Sequence, residues 1–126
     1  MDPNVLVLEI NNLSWCNIDA LISQYGSLNN CEIKIDGLGK NTYVKCLFPQ
    51  FNGATGCSIK EEGVFIADRL PDGMDITFLV YFKDGDSFKC GIQTITAAST
   101  MTFNKANLKT LNSLDELVEE IKKLTE

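Results

Sequence analysis

The stretch ITFLVYFKDGDSFKCGI, residues 76–92, predicts two antiparallel strands joined by a tight turn. Asp84 and Gly85 stand between runs of β-branched and aromatic residues. An Asp-Gly pair suits the central positions of a type I′ turn, where both residues need a positive φ. This turn predicts that Lys83 lies opposite Asp86, and the remaining cross-strand pairs of the hairpin follow from that register.

The first strand of this hairpin is apolar on both faces. Phe78, Val80 and Phe82 alternate with Leu79 and Tyr81, and successive side chains of a strand point to opposite faces. Such a strand is typical of the middle of a sheet or of a position between packed layers. We expect the C-terminal helix to cover the Phe78 face, with a second sheet or another protomer as the alternatives. If the helix covers the Tyr81 face instead, the Phe78 face becomes an interface or a wall of a ligand pocket.

The whole chain predicts an α+β fold with a mainly antiparallel, twisted sheet of about six to eight strands. The other strand candidates are residues 5–10, 31–35, 42–48, 64–67, 94–98 and 100–103. Residues 31–35 and 42–48 are expected to pair as a second hairpin, and the last two candidates could form one bent strand. Residues 49–56, PQFNGATG, predict a loop because they contain Pro, Asn-Gly and a second Gly.

Two helices are predicted, one in the N-terminal half and one at the C-terminus. Apolar residues at i, i+3, i+4 and i+7 predict a short helix over residues 18–25, with Asn17 as a cap and Gly26 at its end. Ser113 and Glu116 match the S-x-x-E capping box that begins a second helix. The apolar stripe of this amphipathic helix is Leu114, Leu117, Val118, Ile121 and Leu124. We expect the stripe to pack on the sheet.

Length and charge limit the possible classes of protein. A chain of 126 residues fits a single globular domain, residues 1–126. No window is apolar enough to span a bilayer, and residues 1–10 lack the pattern of a signal peptide, so a cytoplasmic protein is expected. There are 17 acidic and 11 basic residues, which give a net charge of −6. Without clustered cations we expect no nucleic acid or membrane partner, and this balance is compatible with a basic protein partner.

The composition also restricts the chemistry that the chain can support. The absence of histidine excludes Ser-His-Asp and Cys-His systems and His-ligated metals. Five cysteines are an odd number and include no C-x-x-C pair, so reduced thiols are expected rather than a disulfide framework or a zinc site. Cys31, Cys46 and Cys90 are expected to be buried within strands. We therefore predict no catalytic residue, no metal and no cofactor.

The first functional hypothesis is a non-enzymatic, small acidic binding protein. It would act on a protein partner or on copies of itself, as a homo-oligomer, through an acidic rim and a sheet face or edge. Small acidic inhibitors and assembly proteins of viruses and mobile elements have this general character.

Two further hypotheses come from other classes of protein. In one, the chain binds or sequesters an anionic small molecule in an aromatic pocket between protomers, with Arg69 or a lysine meeting its charge. In the other, Cys16 or Cys57 is the nucleophile of an enzyme. The ligand or interface candidates are Phe82, Tyr81, Phe78, Phe51 and Arg69.

Overall fold

A computed structural model describes residues 14–15, 18–39, 41–48 and 53–125 of the chain. These residues form an α+β fold, which confirms the predicted class, with more strands than the six to eight expected. The strands are β1 (Ser14–Trp15), β2 (Ser27–Lys34), β3 (Thr42–Phe48), β4 (Gly53–Gly56), β5 (Ser58–Glu61), β6 (Val64–Pro71), β7 (Asp75–Asp84), β8 (Ser87–Thr96), β9 (Thr100–Thr102) and β10 (Lys109–Leu111). The helices are α1 (Asp19–Tyr25), α2 (Leu114–Thr125) and a 3-10 turn (Lys105–Asn107). The strand predicted at residues 5–10 lies outside the described residues.

The strands form two sheets rather than one. The six-stranded sheet has the order β1-β4-β3-β7-β8-β10, and the four-stranded sheet has the order β5-β6-β2-β9. Pairing is antiparallel except between β1 and β4 and between β2 and β9. The second hairpin predicted from residues 31–35 and 42–48 is therefore wrong, because β2 and β3 belong to different sheets. Alternation identifies the buried face of a strand, but it does not identify the strand that pairs with it.

The central hairpin exists, but its register differs by two residues from the predicted one. Asp84 lies opposite Ser87, and Tyr81 opposite Cys90. The turn residues are thus Gly85 and Asp86, and only Gly85 has a positive φ, +60°. Glycine at the first central position is the pattern of a type II′ turn rather than type I′. A shift of two residues leaves every side chain on its predicted face.

The two faces of β7 belong to two different cores. Phe78 and Val80 are buried between the two sheets, in an inter-sheet core that also contains Ile33 of β2 and Phe65 of β6. The expectation that the C-terminal helix covers this face is wrong, and the alternative of a second sheet is correct. The helix-side core lies on the opposite face of the six-stranded sheet. It contains Leu79, Tyr81 and Leu111 with Leu117 and Ile121 of α2.

Three local predictions can be compared with the structure. The Ser113 hydroxyl caps α2 by accepting from the Glu116 amide at 3.2 Å, as the capping box predicts. The Glu116 carboxylate accepts from the Asn112 amide, one residue before the position expected of it. At α1, Ile18 occupies the N-cap position without a side-chain cap bond. The loop predicted over residues 49–56 is wrong at its end, because Gly53–Gly56 is β4 and pairs with β3.

The segment that leads from β9 to β10 crosses closely over β8. Gln93 Oε1 accepts hydrogen bonds from the Asn104 amide at 2.7 Å and from Asn107 Nδ2 at 3.0 Å. A Cβ on Gly91 would lie 2.2 Å from the carbonyl oxygen of Asn107, so only glycine leaves room for this crossing. The crossing places β10 at the edge of the six-stranded sheet, beside α2.

Candidate functional site

The structure disperses the aromatic residues that the sequence singles out. Phe78 and Tyr81 lie on opposite faces of β7 and are 0% and 2% exposed. Tyr81 stacks on Tyr43 with ring centroids 5.3 Å apart. Phe82 is half-buried against the inter-sheet core, and Phe51 lies outside the described residues. The described members therefore pack within the protein and form no common open surface.

Arg69, the remaining candidate, lies on the surface next to α1. Its guanidinium is 2.8 Å from a carboxylate oxygen of Asp19. Both side chains are well exposed, so the pair contributes about 1 kcal/mol or less to stability. The guanidinium thus already has an anionic neighbour within the chain, and its contact with an anionic small molecule stays a prediction.

The described cysteines lack the setting of a reactive nucleophile. Cys31, Cys46 and Cys90 are buried, as predicted. A sulfur–sulfur contact with Cys46, followed by burial, raises the pKa of the Cys57 thiol well above its usual range. Burial, and to a smaller extent the charge of Glu120, raises the pKa of Cys90 to about 12. Both thiols are therefore protonated near neutral pH, whereas an activated cysteine has a lowered pKa.

An open cleft of about 610 Å³ lies between β10 and α2. Its lining residues come from these two elements alone, and most of them are charged. They are Lys109, Thr110, Leu111, Asp115, Glu116, Glu119, Glu120 and Lys123. Four carboxylates face two ammonium groups in this set, so the cleft shares the negative character of the chain.

One carboxylate of the cleft is buried and paired. Glu120 is 7% exposed, and its two oxygens lie 3.3 and 3.4 Å from Lys109 Nζ. A carboxylate with little access to water needs a cation or hydrogen-bond donors to remain ionised. This pair therefore holds α2 against β10 at the base of the cleft.

Two other carboxylates of the cleft remain available to a ligand. The Asp115 side chain makes no hydrogen bond or ion pair with any described residue. Glu119 makes one ion pair within the described ranges, with Lys122 at 3.7 Å, and its side chain is 76% exposed. In contrast, Glu116 is engaged with the Asn112 amide at the helix cap. The first two turns of α2 thus present exposed negative charge to solvent.

The second feature of the cleft is an edge strand. Within the described part of the chain, β10 pairs with β8 and with no other strand. An edge strand presents unpaired backbone N–H and C=O groups on its outer side. The cleft therefore combines backbone hydrogen-bonding capacity on β10 with carboxylates on α2.

Sequence reasoning missed this cleft, although one of its residues had a signal. Glu120 lies three residues after Leu117 and four before Leu124, so a helical projection places it beside the apolar stripe. A carboxylate at that position indicates a buried, paired acid. No comparable signal exists for β10, because three residues are too few to show alternation.

Comparison with known protein families, curated proteins and solved structures finds no match to this chain. The fold and the cleft therefore define only a class, an α+β protein with two packed sheets, a covering helix and an acidic edge-strand cleft. In the described ranges, no helix has the length and apolar character needed to cross a membrane. Those same ranges contain no group of three His, Cys, Asp or Glu side chains arranged to hold a metal ion. Cys16 lies outside them.

Proposed function

We propose that the protein is a non-enzymatic binding protein that accepts an extended, basic segment of a partner protein at the cleft between β10 and α2. The observation that carries the proposal is the juxtaposition of an edge strand with two exposed carboxylates, Asp115 and Glu119, on the neighbouring helix. Addition of a strand to a sheet edge is a common mode of peptide recognition. Backbone hydrogen bonds supply affinity in this mode, and side-chain contacts supply specificity.

The character of the cleft favours a protein segment over a small molecule. Small-molecule sites are typically concave, mostly apolar and able to enclose most of the ligand surface. This cleft is open and lies along a strand edge, so it would enclose only part of a small ligand. Such a surface suits an extended chain that contributes its own backbone and cationic side chains.

Charge favours a basic partner over a second copy of this chain. The protein carries a net charge of −6, so a second copy approaches the acidic cleft against a general repulsion. A Lys- or Arg-containing segment is attracted instead, and its cations can reach Asp115 and Glu119. Binding by this route weakens as salt increases, because exposed charges are screened within about 8 Å at physiological ionic strength.

The test is a titration of the isotope-labelled protein with a synthetic peptide of alternating Lys and Val, and amide NMR spectra are recorded at each peptide concentration. We expect saturable shift changes at Lys109–Leu111 and in the first turns of α2. The double variant Asp115→Asn, Glu119→Gln is expected to bind about fivefold more weakly, since each exposed pair contributes about 0.5 kcal/mol. A peptide that is N-methylated at every residue has no backbone N–H donor on either edge and should not bind.

A matched control separates local charge from net charge. The double variant Glu62→Gln, Asp86→Asn removes the same two charges from exposed turns outside the cleft. It should bind the Lys-Val peptide as the unmodified protein does. Equal weakening in both double variants, or shift changes confined to the four-stranded sheet, would contradict the proposed site.

A further inference from the structure

Two cysteine sulfurs are in contact at the edge of the inter-sheet core. The Sγ atoms of Cys46 and Cys57 are 3.5 Å apart. Cys46 lies in β3 and is fully buried, whereas Cys57 follows β4 and is half-buried. The pair therefore has one residue within the core and one at its partly exposed edge.

The sheet register explains why these two residues meet. Cys46 lies opposite Thr55, and the Cys57 amide donates to the carbonyl oxygen of Val44 at 3.0 Å. The ladder therefore continues one residue past β4, and Cys46 and Cys57 become diagonal neighbours on the same face. Diagonal neighbours have Cα atoms about 7 to 8 Å apart, slightly more than an unstrained disulfide spans.

Cys57 also occupies a particular place in the topology. β4 belongs to the six-stranded sheet and β5 to the four-stranded sheet. Cys57 is the single residue between these strands, so it lies where the chain crosses from one sheet to the other. A covalent bond from Cys57 to β3 would fasten this crossover to the centre of the core.

We propose that Cys46 and Cys57 are a reversible redox pair that forms a disulfide by exchange with a low-molecular-weight disulfide such as oxidised glutathione. Bond formation shortens the sulfur separation from 3.5 Å to about 2.05 Å, which requires about 1.5 Å of movement. The crossover end of the pair is the end with more freedom to move, since Cys57 is the last residue of the β3–β4 ladder and lies between two strands of different sheets. The strain that remains makes the bond easier to reduce than a structural disulfide.

The exchange proceeds in two steps. Cys57, the more exposed of the two, loses its proton and attacks one sulfur of oxidised glutathione, which forms a mixed disulfide and releases one glutathione thiolate. Cys46 then loses its proton and attacks Sγ of Cys57, which forms the protein disulfide and releases the second glutathione. The two protons pass to the two departing thiolates through solvent. Two protein thiols are oxidised, and one glutathione disulfide is reduced to two thiols.

The first step is expected to be slow near neutral pH and to accelerate with pH. The raised pKa of the Cys57 thiol leaves little thiolate, so the rate should rise about tenfold for each pH unit below that pKa. This dependence distinguishes attack by Cys57 from attack by a thiol of ordinary pKa, whose rate levels off above about pH 8.5.

The experiment incubates the reduced, folded protein with oxidised glutathione, blocks free thiols with N-ethylmaleimide after denaturation, and maps the cysteines by mass spectrometry. The expected product has lost two hydrogen atoms, contains a Cys46–Cys57 linkage, and returns to the reduced form in excess reduced glutathione. Cys57→Ser should abolish the linkage, and Cys90→Ser should retain it. A stable glutathione adduct on Cys57, a linkage that involves any other cysteine, or an unmodified pair would overturn the proposal.

Discussion

Replacement of Gly91 by alanine tests the packing that places β10 beside α2. The added Cβ would lie 2.2 Å from the carbonyl oxygen of Asn107, whereas real Cβ atoms essentially never approach closer than 3.0 Å. The backbone must therefore move by at least 0.8 Å. Asn107 is held by its own hydrogen bond to Gln93, so this movement also strains or breaks a polar contact.

The expected loss follows from these contacts. Overpacking against backbone costs about 1 to 3 kcal/mol, and the lost hydrogen bond about 1 kcal/mol more. Alanine also restricts the unfolded chain more than glycine does, which offsets about 0.4 to 1 kcal/mol of this loss. We expect Gly91→Ala to lower the free energy of unfolding by about 2 kcal/mol and the melting temperature by about 8 °C.

Thermal unfolding followed by circular dichroism measures this effect, and Gly39→Ala is the matched control. A Cβ on Gly39 has no neighbour within 4 Å, and its φ is not in the left-handed region. That variant should melt within about 2 °C of the parent. If both variants melt at the same temperature, the chain does not cross closely over Gly91, and the placement of β10 beside α2 is also wrong.

Two further predictions concern ion pairs. Lys109→Met removes the cation from the buried Glu120 carboxylate. Because the Lys109 side chain is 61% exposed, the loss should be about 1 kcal/mol, below that of a fully buried pair. Lys122→Met affects only an exposed i,i+3 pair and should change stability by less than about 0.5 kcal/mol in urea unfolding. The hydrogen bond from Lys60, followed by its charge, lowers the pKa of Glu32. The stability from this carboxylate is therefore present above its unfolded pKa and is lost as pH falls through the folded value. An NMR titration should show the pKa of Glu32 rising in Lys60→Gln, and an unchanged value would refute the contact.

Local sequence patterns predicted the faces of the strands well. Alternation along residues 76–82 places side chains on two faces whatever the register, and both faces of β7 are buried as that pattern requires. The register itself depends on which two residues form the turn. The segment KDGDS offers two pairs of turn residues, Asp84-Gly85 for a type I′ turn and Gly85-Asp86 for a type II′ turn. The sequence favours the first pair only because Asp-Gly is common in type I′ turns. Such a choice is settled by pairing along the whole hairpin.

The arrangement of the strands in two sheets could not be read from the sequence. β2 buries one face and β3 buries both, and that burial is satisfied equally by one sheet with a helix above it or by two packed sheets. What distinguishes these solutions is long-range pairing, such as β9 with β2 across a large sequence separation. The cleft depends on the same long-range placement, so only its Glu120 carried a local signal.

The acidic cleft and the cysteine pair lie on opposite sides of the six-stranded sheet. Leu117 and Ile121 fix α2 to the helix-side core, whereas Cys46 belongs to the inter-sheet core. A ligand in the cleft binds the folded state and should raise the melting temperature in proportion to the logarithm of its concentration. Oxidation changes the other core, and β7, buried on both faces, separates the two. We therefore expect the Lys-Val peptide to bind the oxidised and reduced proteins with equal affinity, and a difference of more than about threefold would mean that the sheet transmits the strain of the disulfide to β10.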